Sequence, residues 1–242
     1  METPGYADRD EAGRALVRAL ESVIEPPIAV IAIPRGGVVV GWPIAERWRA
    51  PLTISYARKL ALPIAPELAV GAIDEDGHVL VDHETLRQLG GTPRDLAAAR
   101  ERVAHEIRRQ QERVRAPSLL RHLPERTAVL VDDGLATGLT MRACLAHVRR
   151  HGARQVVVAA PCAAASTAAV IAAEADRLVC PIVDPEFLAV GAYYESFPAV
   201  ADEEVLAILA RARPFAAGLA EEPRAGEVAP APPPPEREDR TR

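Results

Sequence analysis

Three apolar runs that alternate with helical segments constrain the fold of this chain most strongly. The runs are TAVLV at 127–131, QVVVAA at 155–160 and RLVCPI at 177–182, and helical segments at 139–151 and 166–175 separate them. Strands that alternate with helices in this way form a parallel sheet through right-handed crossovers. The pattern therefore predicts an α/β fold with an open parallel sheet and helices packed on its faces.

The first half of the chain predicts further strands. IAVIAIP at 28–34 is wholly apolar, as expected for a strand that is covered on both faces. LTISYA at 52–57 has the composition of a second strand, while ELAVGAI at 67–73 and HVLV at 78–81 predict a hairpin around the turn DEDG. The other predicted helices are an amphipathic one at 9–24, one over GGVVVGWPIAERW, a long one capped by Thr92, and one around DEEVLAILARA.

Composition is typical of a globular protein. With 242 residues, of which 26% are charged and 49% hydrophobic, the chain can bury one substantial core, so we expect a single domain over residues 1–220. Residues 221–242 contain APPPP and mixed charges without apolar periodicity, which predicts a disordered tail. A formal net charge of -5 argues against a general nucleic-acid binder.

The same features predict a cytoplasmic protein that does not enter a membrane. The N-terminal residues METPGYADRDEAGR are polar and charged, without the apolar segment of a secretory signal. The uncharged stretch at 156–173 approaches membrane-spanning length, but a proline and many alanines make it weakly apolar. No CxxC pair occurs, so we expect buried, reduced thiols at Cys144, Cys162 and Cys180.

His147 and His151 stand at an i, i+4 spacing that could hold a metal ion. The same helix face is rich in arginine, which favours a solvated surface. The sequence therefore predicts no dedicated protein metal site.

The stretch VLVDDGLATGLT at 129–140 carries the strongest chemical signal. Asp132 and Asp133 end an apolar strand, and a turn of mostly small residues leads into a helix. Ligands of an open parallel sheet bind beyond the carboxyl ends of its strands. The turn directs backbone N–H groups and the positive end of the helix dipole outward, as in a phosphate cradle. Its residues are Gly134, Leu135, Ala136, Thr137, Gly138, Leu139 and Thr140.

Carboxylates ahead of a phosphate cradle indicate a ligand that offers hydroxyls next to a phosphate. A carboxylate accepts hydrogen bonds from vicinal sugar hydroxyls while the cradle holds a 5′-phosphate, so a ribose 5-phosphate unit fits. The turn has neither the lysine of a Walker loop nor a GxGxxG pattern. An ordinary strand end followed by a helix cap is the alternative interpretation.

This stretch resembles, position by position, the phosphoribosyl pyrophosphate (PRPP) motif of type I phosphoribosyltransferases, in which two acidic residues precede a loop ending in Thr-Gly-x-Thr. The resemblance implies their fold, a Rossmann-like open parallel sheet flanked by helices with a small hood or flap region. It also implies that Asp132 and Asp133 contact the ribose hydroxyls. The residues that map onto the 5′-phosphate loop are Ala136, Thr137, Gly138 and Thr140.

PRGG at 34–37 follows the first apolar strand and resembles the pyrophosphate loop of that family, where backbone amides meet the diphosphate. The corresponding candidates here are Arg35, Gly36 and Gly37, and the guanidinium of Arg35 could add charge-assisted donors. An ordinary turn is the alternative interpretation of this segment on its own.

Arg58 and the single lysine, Lys59, close the second predicted strand. Basic residues of this region bind pyrophosphate in the family, so the resemblance implies the same role here, with solvated surface charge as the alternative. The run RKLALPIAPELAVGAIDEDG looks like the matching stretch of a narrower subgroup. In type I enzymes this region supplies a flap that closes over the substrate.

The resemblance implies an enzyme of nucleotide metabolism that transfers the 5-phosphoribosyl group of PRPP to a nucleobase-like or other nitrogen acceptor and releases pyrophosphate. Mg²⁺ would be held mainly by PRPP and water. A homodimer is expected because type I relatives are often dimers. One alternative is a regulatory protein that binds PRPP or a nucleotide without turnover. The other is a nucleotide-binding scaffold whose partner attaches through the proline-rich tail.

Overall fold

The core of the molecule is a five-stranded parallel sheet with the strand order β2-β1-β6-β7-β9. The computed structural model describes residues 5–114, 116–217 and 219. The sheet strands are β1 (Ile28–Ala32), β2 (Leu52–Ile54), β6 (Thr127–Val131), β7 (Gln155–Ala159) and β9 (Arg177–Val179). Every pairing among them is parallel, which confirms the predicted α/β architecture.

Helices cover both faces of this sheet because its central strands β1, β6 and β7 are apolar except for Thr127 and Gln155, which begin β6 and β7. In β6, Val129 and Val131 belong to one core, and Ala128 and Leu130 belong to the other. The first core includes residues of α1 (Arg9–Leu20), α2 (Gly36–Trp48) and α7 (Asp202–Ala212). The second includes residues of α5 (Leu139–Arg150) and α6 (Ala165–Glu174). Alternate side chains of one strand thus serve two helical layers.

A three-stranded antiparallel sheet precedes the motif half of the chain and forms the hood region. Its order is β3-β4-β5, with β3 at Arg58–Leu62, β4 at Ala65–Ile73 and β5 at Val79–Val81. The predicted hairpin around DEDG is confirmed as β4 and β5. Helices α3 (His83–Gln88) and α4 (Pro93–Val114) follow.

The start of α4 shows why the sequence predicted it well. The backbone N–H of Asp95 donates to Thr92 Oγ1 at 3.2 Å, and the backbone N–H of Thr92 donates to Asp95 Oδ2 at 3.0 Å. This reciprocal pair is a capping box, which satisfies N–H groups that the first helical turn leaves free.

Several predicted boundaries were wrong. The strand predicted at 52–57 ends at Ile54. The residues from Arg58 onward form a separate strand, β3, which was not predicted. The run at 177–182 divides, because Pro181 separates β9 from β10 (Ile182–Asp184). Strand β10 pairs in parallel with β8 (Cys162–Ala164), a strand that was not predicted. The first helix ends at Leu20 rather than at residue 24.

All three cysteines are free thiols, with Cys144 and Cys162 buried and Cys180 partly exposed. Among the residues that the structure describes, no helix is both long and apolar enough to cross a membrane. The predicted disordered tail at 221–242 lies outside the described residues. The domain boundary at residue 220 therefore stays a prediction.

Candidate active site

The candidate site is the crevice between the carboxyl ends of β1 and β6. These two strands are neighbours, and the chain leaves them in opposite directions, from β1 through α2 to β2 and from β6 through α5 to β7. In an open α/β sheet such a reversal opens a crevice in which ligands bind. The two predicted loops, 34–37 and 132–138, are the segments that leave these strands.

Glycines allow the two loops to touch each other. A Cβ atom on Gly36 would lie 1.8 Å from Asp133 Oδ2, and one on Gly37 would lie 2.6 Å from the carbonyl oxygen of Val131. Neither distance leaves room for a side chain. The backbone N–H of Ile33 also donates to the carbonyl of Val131, at 2.8 Å. The pyrophosphate-type loop and the aspartate motif are therefore in direct contact, and the peptide bond between Pro34 and Arg35 is cis.

Asp133 forms an ion pair that the sequence analysis missed. Arg9 Nε donates to Asp133 Oδ2 at 2.8 Å, and only 9% and 16% of the two side chains are exposed. The guanidinium also donates to the carbonyl of Pro198 at 2.8 Å and lies 3.7 Å above the ring centroid of Phe197. A buried arginine therefore offsets part of the repulsion between the adjacent carboxylates.

Backbone pairing between two distant segments brings Arg9 to this place. The N–H of Tyr6 donates to the carbonyl of Tyr193, and the N–H of Glu195 donates to the carbonyl of Tyr6, both at 2.9 Å. The start of α1 is thereby fixed beside the segment that carries Phe197. No local pattern in the sequence signals this pairing.

Asp132 differs electrostatically from its neighbour. Removal from bulk water, followed by the negative charge of Asp133, raises the pKa of Asp132 well above its ordinary value. The backbone N–H of Asp133, which donates to Asp132 Oδ1 at 2.8 Å, and the positive charge of Lys59 act in the opposite direction. Asp132 thus lies within electrostatic reach of Lys59, whereas Asp133 is paired with Arg9.

The loop after the aspartates presents free backbone donors at the start of α5. The N–H groups of Ala136, Thr137 and Gly138 donate no hydrogen bond to any residue that the structure describes, and Ala136 and Thr137 are exposed. The first N–H groups of α5 lack intrahelical partners by geometry. Together they form a helix N-terminus of the kind that can accommodate an anion.

The backbone of Leu135, unlike that of the residues after it, is paired with β8. Its N–H donates to the carbonyl of Cys162 at 2.9 Å, and its carbonyl accepts from the N–H of Ala164 at 3.0 Å. Its side chain is buried. This residue attaches the loop to β8.

Other contacts that the sequence analysis missed fix the loop from behind. Thr167 Oγ1 donates to the carbonyl of Ala136 at 2.6 Å, and Tyr194 Oη donates to the carbonyl of Asp133, also at 2.6 Å. Gly138 has a φ of 69°, and a Cβ atom on it would lie 2.7 Å from Thr167 Cγ2. These contacts attach the loop to α6 and to the segment after β10.

The structure separates the three predicted basic residues. Arg35 is 50% exposed and lies 3.7 Å from Asp202 of α7. Arg58 donates to Gln110 Oε1 of α4 at 2.9 Å, so its side chain faces α4 instead of the crevice. Lys59, the next residue on β3, points to the other side and is exposed. The expectation that Arg58 and Lys59 end the second sheet strand was wrong, because they begin β3.

Comparison with known proteins identifies the family. The family model "Phosphoribosyl transferase domain" matches residues 9–196, which include both loops and the whole central sheet. The chain belongs to the phosphoribosyl transferase family. This result confirms the resemblance drawn from the aspartate motif.

Individual relatives support the same family assignment. Two Mycobacterium tuberculosis proteins from different strains, each named "Putative phosphoribosyl transferase", are 40% identical over 215 residues, which is 87% of this chain. The aligned part is 48% of each relative, so the chain spans about half the length of the curated relatives it matches. The crystal structure of TT1426 from Thermus thermophilus is 36% identical, covers 86% of this chain and 98% of its own, and has a TM-score of 0.69.

This phosphoribosyl transferase fold brings most of the predicted site residues to one crevice. The PRGG segment, the two aspartates and the loop at 134–140 meet at the ends of β1 and β6. Arg58 is directed away from it. The functional roles of these residues remain predictions.

Proposed function

We propose that this protein is a Mg²⁺-dependent phosphoribosyltransferase that binds PRPP and transfers its 5-phosphoribosyl group to a nitrogen acceptor of the nucleobase type. The observation that carries the proposal is the contact between the two glycine-containing loops at the strand reversal, with the aspartate pair between them. Membership of the phosphoribosyl transferase family supports the same reaction class.

In this proposal the loop at 134–140 binds the 5′-phosphate. The free N–H groups of Ala136, Thr137 and Gly138 and the positive end of α5 suit a dianionic group. The carboxylates just upstream accept hydrogen bonds from the ribose hydroxyls. Asp132 is the principal acceptor, because Arg9 already occupies one oxygen of Asp133.

The diphosphate lies over the PRGG loop in this proposal. Backbone amides of Gly36 and Gly37 contact it, since glycine is the only residue that permits such close approach of this backbone to the aspartates. Lys59 provides a positive charge within electrostatic reach of Asp132. Arg35 is half exposed and its long side chain can turn from Asp202 toward the diphosphate.

The residues present fit a magnesium ion that is bound chiefly through the substrate. Carboxylate oxygens are the ligands that Mg²⁺ prefers in proteins, and Asp132 offers them beside the place proposed for the ribose. The ion supplies charge neutralisation for the departing diphosphate. The protein contributes orientation of the sugar and exclusion of water.

The transfer breaks the bond between C1 of the ribose and a diphosphate oxygen, and a new bond forms between C1 and the acceptor nitrogen. Positive charge develops on the sugar ring, and the carboxylate of Asp132 stabilises it electrostatically. The acceptor nitrogen loses a proton, and the raised pKa of Asp132 suits this carboxylate to accept it. The β3–β4 hairpin acts as the flap that keeps water from the reactive sugar.

An assay of pyrophosphate release tests the proposal. The protein is incubated with PRPP, Mg²⁺ and a panel of purines, pyrimidines and other nitrogen acceptors. Asp132→Asn should lower turnover at least about a hundredfold, while Glu101→Gln on the exposed face of α4 should retain full activity. Equal turnover by Asp132→Asn and the unmodified protein would contradict the assignment.

Tight PRPP binding without pyrophosphate release from any acceptor would support the regulatory alternative instead. A homodimer is also part of this proposal, by analogy with type I relatives, and light scattering in solution tests it.

A further inference from the structure

A cluster of carboxylates and imidazoles lies away from the crevice, where the turn after β4 meets the C-terminal end of α5. Asp74, Glu75 and Asp76 come from the turn, His147 comes from the last turn of α5, and His151 directly follows that helix. None of these residues belongs to the PRPP loops. The expectation that the histidine pair faces solvent was wrong for His147, which is 1% exposed.

The ring nitrogens of His147 have no hydrogen-bond partner in the part of the chain that the structure describes. Both Nδ1 and Nε2 are buried and neither makes a hydrogen bond with any described residue. Leaving a buried polar group unpaired costs free energy, on the order of 1–3 kcal/mol. A histidine binds a metal ion through a ring nitrogen that carries no proton.

The geometry of the cluster matches a small coordination sphere. His147 Nδ1 lies 3.2 Å from Asp76 Oδ2, and His151 Nε2 lies 2.8 Å from the same oxygen. The ligand atoms of these three residues all lie within 4.8 Å of one another. Bonds of about 2.0–2.1 Å in a tetrahedral site place ligand atoms about 3.3 Å apart, which is close to these spacings.

The surrounding charges favour a cation at this point. Arg150 forms an ion pair with Asp74, whose Oδ1 also accepts from the backbone N–H groups of Asp76 and His78. Asp74 is therefore already compensated. Asp76 and Glu75 also face His147, and Glu75 Oε1 lies 3.5 Å from His147 Nε2. Metal-bound histidines commonly direct their second nitrogen at such a carboxylate.

We propose that Asp76, His147 and His151 bind a divalent transition-metal ion of the Zn²⁺ type. Two imidazoles and one carboxylate suit Zn²⁺ and disfavour Mg²⁺, which prefers oxygen ligands. The ion joins the turn between β4 and β5 to α5, the helix whose opposite end carries the candidate phosphate loop.

The open side of this site faces a cavity of about 720 Å³. All three proposed ligands line it, together with Arg100 and Arg108 of α4. Three protein ligands leave a fourth position of a tetrahedral ion vacant, and a water molecule or an anion from the cavity would complete it. The proposal concerns a site distinct from the magnesium that accompanies PRPP.

Calorimetric titration of the full chain with ZnCl₂, after removal of bound metals by a chelator, tests the site. The protein should bind one Zn²⁺ per chain at this site. His151→Gln and Asp76→Asn alter partly exposed or exposed groups and so should leave the fold intact while weakening binding at least tenfold. His105→Gln, an exposed histidine on α4, is the matched control and should change affinity less than twofold.

Two further measurements keep the test independent of folding and of enzyme activity. Co²⁺ should give the intense visible absorption of a four-coordinate ion with the unmodified protein and lose it with His151→Gln. Zn²⁺ should raise the melting temperature of the unmodified protein but not that of His151→Gln, because a ligand that binds only the folded state stabilises it. Absence of Zn²⁺ binding, or equal affinity in His151→Gln and His105→Gln, would overturn the proposal.

Discussion

Arg9 and Asp133, which are 124 positions apart in the sequence, form a largely buried ion pair with 2.8 Å between Nε and Oδ2. Two adjacent carboxylates at the end of a buried strand repel each other, and this arginine supplies the compensating charge for one of them. The ion pair also connects the first turn of α1 to the crevice. It therefore couples the stability of the fold to the geometry of the candidate site.

Arg9→Met should destabilise the protein by about 3 kcal/mol, because it leaves the Asp133 carboxylate without its partner in a largely buried position. Arg14→Met is the matched control on the same helix, since Arg14 pairs with Asp10 at an exposed i, i+4 position. It should cost less than about 0.5 kcal/mol. Urea unfolding measures both values, and equal losses would show that the buried ion pair has no special role.

Asp132→Asn should become progressively more stabilising as pH rises. A carboxyl whose pKa is higher in the folded than in the unfolded state contributes stability below its unfolded pKa of about 3.9 and loses that contribution as pH rises through the folded pKa. Asp132 is such a group. The free energy of unfolding of the variant, relative to the unmodified protein, should therefore increase as pH rises above about 4.

Asp82→Asn provides a control with the opposite sign. Hydrogen bonds from the backbone and hydroxyl of Thr85 lower the pKa of Asp82, so its contribution to stability is present above the unfolded pKa and is lost as pH falls. The Asn variant should thus lose more stability at pH 7 than at pH 3. If the difference in unfolding free energy between Asp132→Asn and the unmodified protein does not vary with pH, the electrostatic description of the aspartate pair is contradicted.

Gly36→Ala should weaken PRPP binding by about ten- to a hundredfold. A Cβ atom at this position would overlap the Asp133 carboxylate, so the loop or the aspartate must move, and small displacements of binding groups are costly. Gly41→Ala, within the same helix, is the control, because its Cβ atom would make an ordinary 3.5 Å contact with Val30. Calorimetry with PRPP should find unchanged affinity for Gly41→Ala, and a similar result for Gly36→Ala would show that the contact between loops is unimportant.

The apolar strands and the aspartate motif were predictable because their signals are local. The runs around Val30, Val129 and Val157 are almost wholly apolar, as double-sided burial requires, and each occurs next to a recognisable turn. The capping box at Thr92 is likewise a local signal, because its two residues, Thr92 and Asp95, are only three positions apart.

The features that were missed depend on contacts across the chain. Arg9 meets Asp133 only after the N-terminal segment pairs with residues 193–195, and nothing near Arg9 predicts this. Strand β8 was missed because Cys162, Ala163 and Ala164 have weak strand propensity, and pairing with β10 determines their conformation.

His147 was interpreted as exposed because arginines surround it in sequence. It follows Cys144 by three positions, which places it at the edge of the buried stripe of α5, and that spacing was the available signal.

Gly138→Ala should reduce both stability and PRPP affinity. Its φ of 69° costs an L-residue about 1–2 kcal/mol, and the new Cβ atom would also overlap Thr167. Gly90→Ala is a matched control, since Gly90 has a φ of 65° and a methyl group added there would have no atom within 4 Å. Thermal unfolding should show a loss for both variants that is larger for Gly138→Ala, and only Gly138→Ala should lower PRPP affinity.

Calorimetric titration with PRPP, in the presence and absence of Mg²⁺, tests the proposed function most directly. The titration compares the unmodified protein with Asp132→Asn. The proposed function predicts one PRPP bound per chain, dependence of the affinity on Mg²⁺, and at least about tenfold weaker binding by the variant. Absence of PRPP binding to the unmodified protein, or the same affinity in the variant, would contradict the assignment of this crevice to a phosphoribosyl donor.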